Sequence, residues 1–212
     1  MDFDQARENM IKQQIRTENV VDERLLEIMQ QHPRDRFVPP AYRELAYADM
    51  NIPLDDDTSM LSPAMEARIL DALDVQRGEK VLEIGTGCAY LTALLAELSG
   101  DVVTLDSKDH VLPEIRTSLE QVEFKEGDIR QGWQALGSFD VIVLRGSVTR
   151  LPDGLSDHLN PGGRLFAIIG EEPVMQAILF TRTDNHVLER TELLETSAPR
   201  LANAEPPELF NF

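Results

Sequence analysis

An apolar run that turns through two glycines into a helix constrains this chain more than any other feature. Val81-Leu82-Glu83-Ile84 reads as a strand, Gly85-Thr86-Gly87 as the turn, and residues 91–98 as an apolar helix. Further short apolar runs follow at 102–105, 122–124, 141–144 and 165–169. Residues 111–120 carry a helical pattern, with Pro113 suited to a first turn. Near-continuous apolar strands separated by helices build a parallel sheet covered on both faces. The expected fold class is α/β, a doubly wound, mostly parallel sheet. Upstream, residues 4–31 show helical spacing, Asp22 caps the second half, and Pro33 stops it. Residues 33–63 are loop-rich, and 63–73 form a helix with Met65, Ile69, Leu70 and Leu73 on one face. Residues 176–195 alternate enough for one or two strands.

A chain of 212 residues, 42% of them hydrophobic, suffices for one sizeable domain. The expected division is a single domain over 1–212. Residues 1–62 give helices and a loop that covers the active site, 63–182 the ligand-binding core, and 183–212 a strand and tail. The formal charge of -18 opposes general binding to a phosphate backbone or an anionic membrane. Cys88 is the single cysteine, so no intrachain disulfide forms, and with four scattered histidines it makes no visible metal ligand set. The N-terminus lacks the pattern of a signal peptide, and no stretch has the roughly 18–20 apolar residues of a membrane helix. A cytoplasmic monomer is expected.

The glycine turn carries the chemistry. Glycines at 85 and 87 let the backbone approach a ligand with no Cβ in the way. In a doubly wound sheet such a turn is where nucleotides bind. Asp106 ends the next strand, where a carboxylate accepts both ribose hydroxyls, and Asp128 ends the one after, where a carboxylate suits an adenine amino group. A dinucleotide site calls for a third glycine, and Tyr90 stands there instead. Glu83 is unfavourable beside a pyrophosphate and favourable beside a ligand carrying a sulfonium and an ammonium. The loop therefore favours S-adenosylmethionine over NAD.

Other strings join this loop. They are Pro33-Arg34-Asp35-Arg36-Phe37-Val38-Pro39, Ile52-Pro53-Leu54, Gly127-Asp128, Gly132-Trp133 and Gly162-Gly163. With them, over roughly residues 8–182, the chain resembles the protein-L-isoaspartate O-methyltransferases. The resemblance implies a Rossmann-like, S-adenosylmethionine-dependent enzyme that methylates the α-carboxyl of isoaspartyl residues in damaged proteins. Its partner would be a protein or peptide bearing that carboxylate. The implied cofactor residues are Glu83, Gly85, Thr86, Gly87 and Tyr90 from the loop, with Asp106, Ser107, Asp128 and Ile129 beyond it.

The chain also departs from the family pattern. The family's catalytic serine falls on Leu61, which has no hydroxyl, and a small or hydroxyl residue after the 141–144 strand is Arg145. A carboxylate acceptor is already ionised at neutral pH, so the reaction needs alignment rather than a base. Ser59 and Ser62 are candidates to replace the lost hydroxyl in part, although Ser62 before Pro63 better suits a helix cap. Arg145 is a candidate carboxylate clamp, or else the partner of a structural acid. The catalytic candidates are thus the positions Ser59, Leu61 and Arg145. Two alternatives stay open: a different methyl acceptor, and a non-catalytic S-adenosylmethionine-binding protein.

Overall fold

The computed structural model describes residues 2–183 and 187–204. The N-terminal region expected as helix is broken into pieces. It comprises α1 (Phe3–Met10), a π turn (Ile11–Ile15), a 3-10 turn (Arg16–Glu18) and α2 (Glu23–Gln31). The break falls at Asn19, whose φ of 63° is left-handed, a conformation asparagine tolerates better than most residues. Asp22 caps α2 as expected, accepting from the Arg24 amide at 2.9 Å.

A small hairpin, β1 (Ile52–Pro53) and β2 (Ser59–Met60), leads into α3 (Pro63–Leu73). Ser62 caps α3, accepting from the Met65 amide at 3.4 Å, and Pro63 fills its first turn. The core then runs β3 (Lys80–Ile84), α4 (Tyr90–Ser99), β4 (Asp101–Asp106), α5 (Pro113–Ser118), β5 (Val122–Glu126), β6 (Phe139–Val148) and β7 (Leu159–Glu171). Two antiparallel strands, β8 (Val174–Arg182) and β9 (Leu188–Thr196), complete a seven-stranded sheet in the order β5-β4-β3-β6-β7-β8-β9. The first five strands in that order are mutually parallel. Strand order reverses between β3 and β6, which puts the switch point, the usual ligand crevice of such sheets, at the end of β3.

The α/β reading holds, but the two faces are covered differently. Alternate residues of each strand point to opposite sides. Val81, Val102, Val141 and Val143 join one core with the buried residues of all five helices. Leu82, Ile84, Leu105, Ile142 and Leu144 join the other with Trp133, Leu155, Leu201 and Ala204. This second cover contains no α-helix among the described residues. The β5–β6 connection is turns because Gly132 and Gly137 adopt positive φ and Asp128 Oδ1 accepts from the Arg130 and Gln131 amides. The Trp133 ring is pinned by its Nε1–H to the Ile129 carbonyl at 3.0 Å.

Candidate cofactor groove and active site

The sequence places the glycine turn at the carboxyl end of β3, and the backbone shows why glycine is needed there. Gly85 and Gly87 have φ of 96° and 52°, and Ala89 follows in the same left-handed region at 66°. The Gly87 amide donates to Asp106 Oδ2 at 2.8 Å, so the end of β4 closes the turn from the side. Asp106, Ser107, Asp128 and Ile129, at the ends of β4 and β5, line one groove with Gly85, Ser59 and Arg145. Seven of the expected residues are therefore brought together, although the sequence separates them widely.

Of the other expected residues, Gly87 belongs to the turn beside this groove and Thr86 lines a neighbouring cavity with Asp106 and Ser107, while Glu83, Tyr90 and Leu61 lie elsewhere. Glu83 is fully buried within β3, its Oε2 accepting from the Thr92 and Thr104 hydroxyls at 2.5 and 2.7 Å, while Oε1 has no partner. Burial pushes its carboxyl up to about 7, against those two hydrogen bonds and the nearby Arg145 charge, which pull it down. Thr86 shares a 2.7 Å hydrogen bond with Thr104 beneath the turn. Tyr90 faces away from the groove. Its ring lies edge-on to Phe37 at 5.2 Å, and the Arg34 guanidinium sits 4.9 Å from its centroid. Leu61, at the family's serine position, is part of the helical-side core and 1% exposed.

Arg145 lies within the buried run of β6, just past the apolar residues 141–144, and it neither faces solvent nor bonds to an acid. Its Nε donates to the Gly85 carbonyl and its Nη1 to the Ser59 carbonyl, the latter at 2.7 Å. The guanidinium lies over the glycine turn, where a Cβ on Gly87 would collide with it. Ser59 thus bonds Arg145 through its backbone. The hairpin carrying Ser59 is held over the groove by Lys108, whose Nζ lies 2.8 Å from Asp55 and 3.3 Å from Asp57. The aspartate run is therefore a strut, and Lys108 is the chief cause of the Asp55 carboxyl lying well below its ordinary value.

Two features were not anticipated from the sequence. Arg34 and Glu66 form an ion pair with 0% and 1% of their side chains exposed, and the Arg34 Nη2 also donates to the Leu61 carbonyl. Burial pushes the Glu66 carboxyl up to about 7 against the pull of Arg34 and Arg145. One signal was available: Glu66, Ile69, Leu70 and Leu73 fall at i, i+3, i+4 and i+7, so the acid sits in the apolar stripe of α3. The second feature is the tail. Leu201 packs on Gly85, with its Cδ2 2.6 Å from where a Cβ would stand, and Asn203 Nδ2 donates to Asp128 Oδ2 at 2.7 Å.

The groove has the residue types S-adenosylmethionine requires, yet not the space. Arg145 and Leu201 leave a cavity of about 20 Å³, room for about one water, whereas small-molecule sites typically need about 300 Å³ or more. The part of the groove between Gly85, Asp128 and Leu201 therefore has no room for a nucleoside in this arrangement, although a cavity of about 280 Å³ lined by Thr86, Asp106 and Ser107 adjoins it.

A family model described as protein-L-isoaspartate(D-aspartate) O-methyltransferase matches residues 5–198. A protein-L-isoaspartate O-methyltransferase from Gloeobacter violaceus is 34% identical over 187 residues, covering 85% of this chain and 91% of that protein. One of the same name from Syntrophus aciditrophicus is 35% identical over 192 residues, covering 88% of each. A solved protein-L-isoaspartate O-methyltransferase superposes with a TM-score of 0.78 at 25% identity, over 92% of this chain and 65% of that one. A Plasmodium falciparum structure in complex with S-adenosyl-L-homocysteine shares the fold, with a TM-score of 0.77 at 19% identity over 95% of this chain and 98% of that one. The loop at the switch point, the acids at the ends of β4 and β5, and these matches place the chain in the protein-L-isoaspartate(D-aspartate) O-methyltransferase family.

Proposed function

We infer that the chain is an S-adenosylmethionine-dependent methyltransferase that O-methylates the carboxyl group of isoaspartyl residues in protein substrates. The match of the family model to residues 5–198 carries this reading. When bound, S-adenosylmethionine supplies the methyl group. The chain's own task is to hold an ionised carboxylate in line and exclude water, since no proton has to be removed from the acceptor.

The acceptor-binding residues are our proposal. Leu61 is walled into the core and offers no polar group, so positioning falls to the neighbours that line the groove, Ser59 and Arg145. The buried Arg145 guanidinium would give the groove of a protein with charge -18 a local cation for a carboxylate. The same net charge supports a protein rather than a nucleic-acid partner. No helix among the described residues is long and apolar enough to cross a membrane. The buried, unpaired Cys88 is in keeping with a cytoplasmic setting, and we propose a monomer.

The test is transfer of labelled methyl groups from S-adenosylmethionine to a matched peptide pair, one isoaspartyl and one aspartyl. Base-labile label on the isoaspartyl peptide alone is expected. Absence of label on both, with the folded protein still binding S-adenosylhomocysteine, would rule out this acceptor.

A further inference from the structure

We propose that residues 199–204 are a built-in strap that occupies the cofactor groove, so that S-adenosylmethionine binds only by expelling it. This rests on the cofactor reading above and goes beyond it. The strap begins where the family match ends, at residue 198.

The strap is attached by specific bonds. The Ser147 amide, near the end of β6, donates to the Pro199 carbonyl at 2.8 Å, and the Leu201 amide donates back to the Ser147 carbonyl at 3.0 Å. Ser147 Oγ holds the Ala198 carbonyl at 3.0 Å, and Arg200 Nη1 reaches the Gly170 carbonyl at 3.1 Å. These contacts add a one-residue parallel bridge, Ser147 to Arg200, to the edge of the groove. From there Leu201 turns inward against Gly85 and Gly146, two positions with no side chain of their own. Leu201 is 7% exposed and Ala204 9% exposed.

The strap's contacts coincide with the groups a nucleoside ligand would use. Leu201 covers Gly85, where the absence of a Cβ otherwise lets a ligand approach the backbone. Asn203 presents an amide N–H₂ to Asp128, the same donor chemistry as an adenine amino group. Arg145 of β6, which is not part of the strap, separately lays its guanidinium over Gly87. Strap and cofactor cannot share this space. The apparent dissociation constant is then the intrinsic one divided by the fraction of molecules with the strap out.

Two variants separate strap from site, because neither residue belongs to the candidate cofactor set. Asn203→Asp sets a carboxylate against Asp128, and Leu201→Ala removes the apolar anchor. Titration calorimetry with S-adenosylhomocysteine should show each variant binding about tenfold or more tighter than the parent chain. Hydrogen exchange should show the Leu201 amide protected in the ligand-free parent and released at saturating S-adenosylhomocysteine. Equal affinity in the parent and in both folded variants would overturn the strap, as would an unprotected Leu201 amide in the ligand-free parent. If Leu201 is protected and neither parent nor variants bind the nucleoside, competition is refuted and the cofactor reading falls with it. If the parent binds and Leu201 stays protected, the strap alone is refuted.

Discussion

Arg34 and Glu66 face each other in the helical-side core, both shut off from solvent, with Arg34 also reaching the Leu61 carbonyl. The pair joins the segment after α2 to the first half of α3. Removing either partner leaves an uncompensated buried charge. Arg34→Ala or Glu66→Ala should therefore destabilise the protein by about 3–5 kcal/mol. Urea denaturation would measure this. A loss below about 1 kcal/mol would mean that the pair is not buried in solution.

Glu83 gives a pH signature. Its carboxyl is raised by burial to about 7 in the folded chain, above its ordinary value of 4.5. Between those values the folded state binds more protons than the unfolded state, so this group's stabilising contribution is largest at low pH and falls as pH rises through about 7. Glu83→Gln removes that dependence. Its Tm relative to the parent should rise between pH 5 and pH 8, by the equivalent of about 1–3 kcal/mol. A pH-independent difference would contradict the raised value.

The Ser62 cap is a smaller and cleaner case. Its hydroxyl accepts from the Met65 amide at the start of α3. Ser62→Ala should cost about 1 kcal/mol in chemical denaturation. Methyl transfer per folded molecule should be unchanged, because this serine caps a helix and does not line the groove.

Leu61→Ser restores the family's hydroxyl at the family's position. The residue is 1% exposed and packed in the core, so the change opens a cavity and buries a hydroxyl. We expect a loss of about 3–5 kcal/mol and no gain in methyl transfer per folded molecule. A substantial gain would show that the segment around Leu61 turns toward the acceptor in the working enzyme.

Much of this protein was decided by local pattern. The strands at β3, β4, β6 and β7 follow from apolar runs, because burial on both faces leaves few places for a polar side chain. The limits of α3, with Ser62, Pro63 and the apolar stripe, follow from capping chemistry and a 3.6-residue period. The glycine turn and the acids Asp106 and Asp128 were legible because ligand chemistry at a switch point demands those residue types at strand ends.

What the sequence did not determine depends on contacts between distant segments. Nothing local says that Arg145 turns onto the Gly85 carbonyl, 60 residues away, rather than toward solvent. The family resemblance implies Tyr90 as a cofactor residue, yet after the left-handed Ala89 its ring packs against Phe37 and Arg34. The face that carries no α-helix among the described residues is covered in part by Trp133 and Leu201, which show no periodic signal because they lie in turns and an irregular segment. Asn203 meets Asp128 across 75 residues only because the parallel strands β5 and β6 end on the same, carboxyl-terminal side of the sheet. Periodicity fixes which face a residue shows. Only the closed tertiary structure decides which residues then compete for the same space.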